Sequence, residues 1–356
     1  MISLNDILAA LAGCLDATTQ AILAMSFGFA MIPSALAYAV GIGGCLAFNS
    51  VVPISFQAET ITLGGRMGRN IRERATIIFL GGLIMTGIGV FGALGAIVDF
   101  AGEDILSAMM AGVGIILAKA GWDLVKENKK LGAISMVSAI AVYFLTMDLV
   151  WTIVSSVVVT SVMAKVLKEE IVIGEINESK FKLIKPVMNG NVIRGALSVV
   201  CLTVGGNIAY GGITADIAGT TANADHISIY SGVADMVSSA FGGSPVSVII
   251  SATAAADHAL VSAIILMAIM MLILLSGLLP KIAKHVPVQA ISGTLFVLGV
   301  FVTIPDNALI AFPADGDYSS TVACGVTLGV TAITDPFFGM VAGIAVKLLC
   351  GFMGIL

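Results

Sequence analysis

Two stretches, VVPISFQAETITL at 51–63 and GGSPVSVIISATA at 242–254, decide how the chain is organised. Each sets a proline, Pro53 or Pro245, ahead of serine and β-branched residues, and the prolines stand 192 residues apart. Proline lacks an amide hydrogen and resists a helix interior. Each stretch is therefore expected to begin extended and turn helical afterwards. Two further blocks repeat. ILSAMMAGVGIILAKAGWDL (105–124) matches AISGTLFVLGVFVTIPDNAL (290–309) at an offset of 185. DLVWTIVSSVVVTSVMAKVL (148–167) matches DPFFGMVAGIAVKLLCGFMG (335–354) at 187. Offsets this steady indicate a duplication.

Of the 356 residues, 58% are hydrophobic and 11% charged. A soluble domain holds about 45–50% apolar and about 25% charged residues. This chain cannot cover a water-facing surface, which excludes a soluble enzyme, a nucleic-acid binder and a disordered chain. A polytopic helical membrane protein remains. The apolar runs are continuous, unlike the alternating strands of a membrane barrel. The 40 glycines suit close helix packing in lipid. Five scattered cysteines without a CxxC read as small buried residues. The N-terminus MISLNDIL has no basic n-region, so the first apolar segment is expected to persist.

Fourteen apolar segments are expected, at 5–33, 35–50, 51–64, 74–98, 104–122, 131–147, 148–166, 193–215, 226–241, 242–256, 258–280, 286–304, 318–333 and 335–354. A first repeat then covers 1–166, a polar cytoplasmic linker 167–190 and a second repeat 191–356. With seven segments each, the second copy enters from the opposite side, the inverted plan of many secondary transporters. Basic residues fall in odd-numbered loops: Arg66, Arg69, Arg72 and Arg74; Lys126, Lys129 and Lys130; Lys168, Lys180, Lys182 and Lys185; Lys281 and Lys284. Acids mark the even loops, with Asp99, Glu103 and Asp104, then Asp225, then Asp306, Asp315 and Asp317. The positive-inside rule puts the odd loops in the cytoplasm and both termini outside.

The broken third and tenth segments would expose free amides at new helix N-termini, aimed at one polar site in the bilayer centre. Glu59 lies six residues after Pro53, and Ser251 six after Pro245. An intramembrane carboxylate is costly and usually faces a cavity. Glu59 is thus a candidate for binding substrate or a proton, against the plainer reading that it pairs with Arg66 or Arg69. Gln57, Thr60, Thr62, Ser247 and Thr253 are weaker candidates, since hydroxyls in lipid mostly bond their own backbone or a neighbouring helix. Asp16 is read as a coupling site or a residue near the headgroups. Asn207 is a ligand contact or helix glue, and Asp235 a proton site or an interface carboxylate. Asp257 and His258 are expected to form a solvated loop pair. IRERA (71–75) reads as a cytoplasmic anchor, and LGGRMG (63–68) lacks the strand–loop–helix frame of a phosphate loop. No triad, zinc motif, Walker loop or dinucleotide fingerprint is present, so no catalytic residue, metal or cofactor is expected.

FGGSPVSVIISATAAA (241–256) resembles the tenth-segment block of the xanthine/uracil permease (nucleobase:cation symporter) superfamily. QAETITLGGRMGR (57–69) resembles its adenine/guanine/hypoxanthine branch. The resemblance implies an all-α fold of two inverted seven-helix repeats. Its core would comprise 5–98 and 193–283, and its gate 104–166 and 286–354. It further implies alternating access for a purine or pyrimidine, driven by H+ or Na+. Substrate would be bound by Glu59, Gln57, Asn207, Ser251 and Thr253, with Asp16, Glu59 and Asp235 as coupling candidates. The family's binding glutamate belongs to the tenth segment, where this chain has Ser251. CLDATT around Asp16 resembles the family's eighth-segment acid motif, while Asn207 stands near that motif's own place. The repeats thus read as exchanged, and the charge bias orients the first as the family orients its second.

SALAYAVG (34–41) is similar to the sulfate permeases, which makes an anion carrier of the same inverted fold the alternative. Facing helix N-termini suit an anion, but Glu59 beside them would repel one. A scaffold or receptor would need longer extramembrane parts, and a membrane enzyme a recognisable cluster. The expected partners are a small-molecule solute and the lipid bilayer of a prokaryotic cell membrane, with no nucleic acid; a homodimer is left open.

Overall fold

The computed structural model describes residues 2–169 and 181–353. The first repeat runs α1 (Leu4–Ser26), α2 (Met31–Phe48), β1 (Ile54–Ser55), α3 (Ala58–Met67), α4 (Ile71–Val90), α5 (Leu94–Ala101), α6 (Glu103–Glu127), α7 (Lys129–Thr146) and α8 (Leu149–Val166). The second runs α9 (Gly190–Ile217), α10 (Ala224–Ser239), β2 (Ser247–Val248), a 3-10 turn (Ala252–Ala255), α11 (Ala259–Leu275), α12 (Leu278–Ala283), α13 (Ser292–Val297), α14 (Ile304–Ala311), α15 (Tyr318–Ile333) and α16 (Pro336–Met353). Among the described residues nine helical spans are long and apolar enough to cross a membrane, and α11 and α15 are shorter apolar helices. Of the expected linker, residues 170–180, Lys180 among them, lie outside the described residues.

Loops this short must satisfy helix ends locally. Asn70, Asn128, Asn189 and Asn223 each accept the amide of the third residue beyond them, opening α4, α7, α9 and α10. Asp148 accepts from the amides of Val150 and Trp151 to open α8. Its repeat counterpart at an offset of 187, Asp335, does the same for Phe337 and Phe338 at α16. In the basic loops Lys130 Nζ lies 2.8 Å from Glu169, and that hydrogen bond holds the Glu169 carboxyl below its usual range.

The inverted symmetry is visible in the packing. α4 packs on α9 and α10, and α11 packs correspondingly on α1 and α2. α7 packs on α8 and α13, as α15 packs on α16 and α6. These contacts correspond pair by pair between the two repeats, as an inverted duplication with a core and a gate requires. β1 and β2 pair antiparallel, with Ser55 opposite Ser247. The offset of 192 carries Ser55 onto Ser247, so the axis relating the repeats passes between these two serines.

Three details depart from the sequence expectation. The helical part of the tenth segment is only the 3-10 turn, whereas that of the third is ten residues long. α5 fills the fourth loop, and α6 runs past the expected 104–122 to Glu127. The twelfth segment is interrupted by π-helical residues Leu298–Thr303 ahead of Pro305. Proline cannot donate to the carbonyl four residues back, here that of Phe301. The Tyr143 hydroxyl donates to it instead, at 3.4 Å.

Candidate functional site

Extended backbone inside a membrane needs partners for its polar groups, because lipid offers none. Here they come from α2, α9 and α10. The Phe56 amide donates to the Tyr38 hydroxyl at 3.2 Å, and that hydroxyl lies 3.1 Å from Ser55 Oγ. Tyr230, the counterpart of Tyr38 at the same offset of 192, donates to the Val52 carbonyl at 2.7 Å. Asp235, 3% exposed, accepts from the Val246 amide at 2.8 Å. Thr214 donates to the Ile249 carbonyl at 3.0 Å. Asp235 therefore braces the strand after Pro245.

α3 starts from this frame. Gln57 is its N-cap, but its side chain leaves the cap unsatisfied and accepts instead from Thr60 Oγ1 at 3.3 Å. The first intrahelical bond runs from Ile61 N to the Gln57 carbonyl, so the amides of Ala58, Glu59 and Thr60 have no helical partner. Thr60 Oγ1 and Ser247 Oγ lie 2.7 Å apart across the axis. Opposite, Ser251 Oγ accepts from the Thr253 amide at 3.2 Å and its hydroxyl at 2.8 Å, so these two residues bond each other.

Glu59 sits in the first turn of α3, 3% exposed, with the Tyr210 hydroxyl 3.5 Å from Oε1. It pairs with neither Arg66, which binds Asp123, nor Arg69, whose amide donates to Glu73. Asp16 is half-buried on α1 and accepts from Gln20 Nε2 at 2.8 Å. One turn earlier, a Cβ on Gly13 would fall 2.2 Å from the Leu266 side chain of α11, so α1 and α11 pack closely there. Asn207 donates to Ser228 at 2.9 Å and so joins α9 to α10, while its Oδ1 has no partner among the described residues. Gln57, Thr60 and Ser247 thus meet about the axis, with Glu59 on the same turn of α3; Ser251 and Thr253 bond each other on the opposite repeat, Asn207 joins α9 to α10, and Asp235 holds the Val246 amide.

Sequence reasoning passed over Tyr210, three residues beyond Asn207 in GGNIAYGG, and the paired Tyr38 and Tyr230. The shared offset was the available signal for the tyrosine pair. Asp257 and His258 are exposed in the turn before α11, and both are also bonded to α1 or its start. The His258 amide donates to the fully buried Asp6 at 2.8 Å, its Nδ1 lies 3.0 Å from the other Asp6 oxygen, and Asn5 donates to Asp257. They tie the start of α11 to the start of α1.

No family model and no curated relative matches the sequence. Solved structures do match by shape. The transmembrane domain of a cyanobacterial bicarbonate transporter, BicA, aligns with a TM-score of 0.69 at 14% identity, covering 96% of this chain and 97% of that one. The murine solute carrier 26 family member A9 anion transporter, in the inward-facing state, aligns at 0.73 and 14% identity. A second structure of that family member aligns at 0.71 and 15% identity. This chain covers 68% and 65% of those two chains and is itself covered to 98%. The likeness establishes the fold, an all-helical inverted repeat with a core and a gate. It also corrects the resemblance drawn from motifs. The neighbours are a bicarbonate transporter and a solute carrier 26 anion transporter, and the xanthine/uracil assignment, with its purine or pyrimidine solute, is withdrawn. The physical reason lies in GGSP. Gly242 has φ +77°, and a Cβ on Gly243 would fall 2.3 Å from Ser238 Oγ. The block answers to backbone geometry at a broken segment, which different solutes can share.

Proposed function

We propose that this protein is a secondary transporter of a small inorganic anion, carried by alternating access at the centre between the third and tenth segments. The observation that carries this is the start of α3, where the amides of Ala58, Glu59 and Thr60 have no helical partner and the Glu59 amide turns to its own carboxylate. These amides open beside the Thr60 and Ser247 hydroxyls, in a chain shaped like anion transporters. A helix N-terminus attracts negative charge through its free amides and dipole. Glu59 on the same turn would repel an anion if ionised. A proton or Na+ at Glu59, with Asp16 as the second candidate, removes that repulsion and couples the anion to a cation gradient. The elements within 5–98 and 193–283 would then move as the core against 104–166 and 286–354.

Thermal unfolding of purified protein with bicarbonate, sulfate, chloride, xanthine and uracil tests the solute class. A ligand that binds the native state raises the melting temperature. One of the three anions should do so, and neither nucleobase should. The reverse pattern overturns the proposal.

A further inference from the structure

We infer that the cavity at the basic end of α3 is a second anion site on the transport path, where Arg66 exchanges its Asp123 partner for the travelling anion. This rests on the anion reading above. The cavity, about 300 Å³, lies between α1, α3, α6 and the residues leading into α13. Phe27, Thr62, Arg66, Asp123, Glu127 and Gln289 are among its walls. Core elements thus face gate elements across it, on the side where the basic loops collect.

Arg66 Nη2 lies 3.0 Å from Asp123 Oδ2, and Lys126 Nζ lies 3.2 Å from Asp123 Oδ1. The Arg66 and Asp123 side chains are 34% and 39% exposed, so water reaches the pair and screens it. A guanidinium binds any small oxyanion by the geometry with which it binds a carboxylate. Replacing Asp123 by such an anion leaves Arg66 paired, and Lys126 keeps Asp123 paired, so no charge is stranded. The Thr62 hydroxyl, one turn nearer the centre, lines the same cavity, is 1% exposed and has no partner among the described residues. Glu59, Thr62 and Arg66 fall at i, i+3 and i+7, on one face of α3. At 1.5 Å per residue that stripe is about 10 Å long. It leads from the central site to the cavity. Glu127 on the far wall carries the opposite charge and keeps the stop brief. Because the Arg66–Asp123 bond joins α3 to α6, an arriving anion also releases the core from the gate.

The test is initial-rate uptake by proteoliposomes, using whichever of radiolabelled sulfate, bicarbonate or chloride the unmodified protein carries. Asp123→Asn frees Arg66 and should lower KM about fivefold, whereas Arg66→Gln should raise it about tenfold. Thr62→Val should raise KM about threefold, and Arg66→Lys should restore most of the loss. If Asp123→Asn and Arg66→Gln shift KM in the same direction, the pair is only a tie between helices and the inference falls. Should Arg66→Gln fail to fold, the fall in KM for Asp123→Asn and the rise for Thr62→Val still decide it. If the unmodified protein carries none of the three anions, the anion reading itself fails and takes this inference with it.

Discussion

Glu59 is the residue on which the proposed chemistry turns. It is buried, it lacks the arginine partner its sequence neighbours offered, and its carboxylate meets its own backbone amide and the Tyr210 hydroxyl at 3.5 Å. A carboxylate held this way near an anion site has no structural duty that glutamine could not perform. Glu59→Gln should therefore fold and still exchange anion downhill, but should lose the response to a proton or Na+ gradient. Its apparent anion affinity should rise about tenfold, since one like-charge repulsion is removed. Uptake measured with and without each gradient checks this, and gradient-driven accumulation by the variant would remove Glu59 from coupling. Glu59 itself was legible in the sequence, being a glutamate six residues beyond an intramembrane proline. Its partner Tyr210 was not, because an aromatic among glycines reads equally well as packing. The Asp6–His258 tie was hidden because its two members lie 252 residues apart.

At the scale of elements, the two repeats agree in their caps and differ in their charges. Asp148 and Asp335 open α8 and α16 in the same way, but Asp335 is 1% exposed and also receives Arg194 and Ser198 from α9. Arg194 in turn stacks over Phe338 at 4.5 Å. This cluster fixes α16 to α9. Removing one partner of a buried pair strands the other charge. Arg194 is partly exposed, which reduces the effect. Arg194→Met should cost about 2 kcal/mol, read as a lower midpoint in thermal or denaturant unfolding of the detergent-solubilised protein. An unchanged midpoint would mean the aspartate is satisfied by its cap bonds and Ser198 alone. The two proline-broken segments were readable from Pro53 and Pro245. The shrinkage of the second helical part to one 3-10 turn was not, since nothing local distinguishes Ala252–Ala255 from a longer helix start.

For the whole molecule, hydropathy and charge placement were enough to give fourteen segments and an inverted duplication, because lipid leaves a chain few alternatives. The solute was not legible. Its recognition rests on backbone amides and hydroxyls that many sequences supply, while the conspicuous Gly-Gly-Ser-Pro block serves the fold. The positive-inside rule applied to the basic loops predicts the orientation. In a variant without reactive native cysteines, an impermeant thiol reagent added outside intact cells should label Asp99→Cys and miss Lys129→Cys. The opposite labelling would invert the arrangement.

Most direct of all is solute specificity in a sealed membrane. Purified protein reconstituted into proteoliposomes should accumulate radiolabelled bicarbonate, sulfate or chloride when an inward proton or Na+ gradient is imposed. Excess unlabelled anion should block that uptake, and xanthine and uracil should leave it unchanged. Gradient-driven uptake of xanthine or uracil, with all three anions inert, would contradict anion transport at the α3 site.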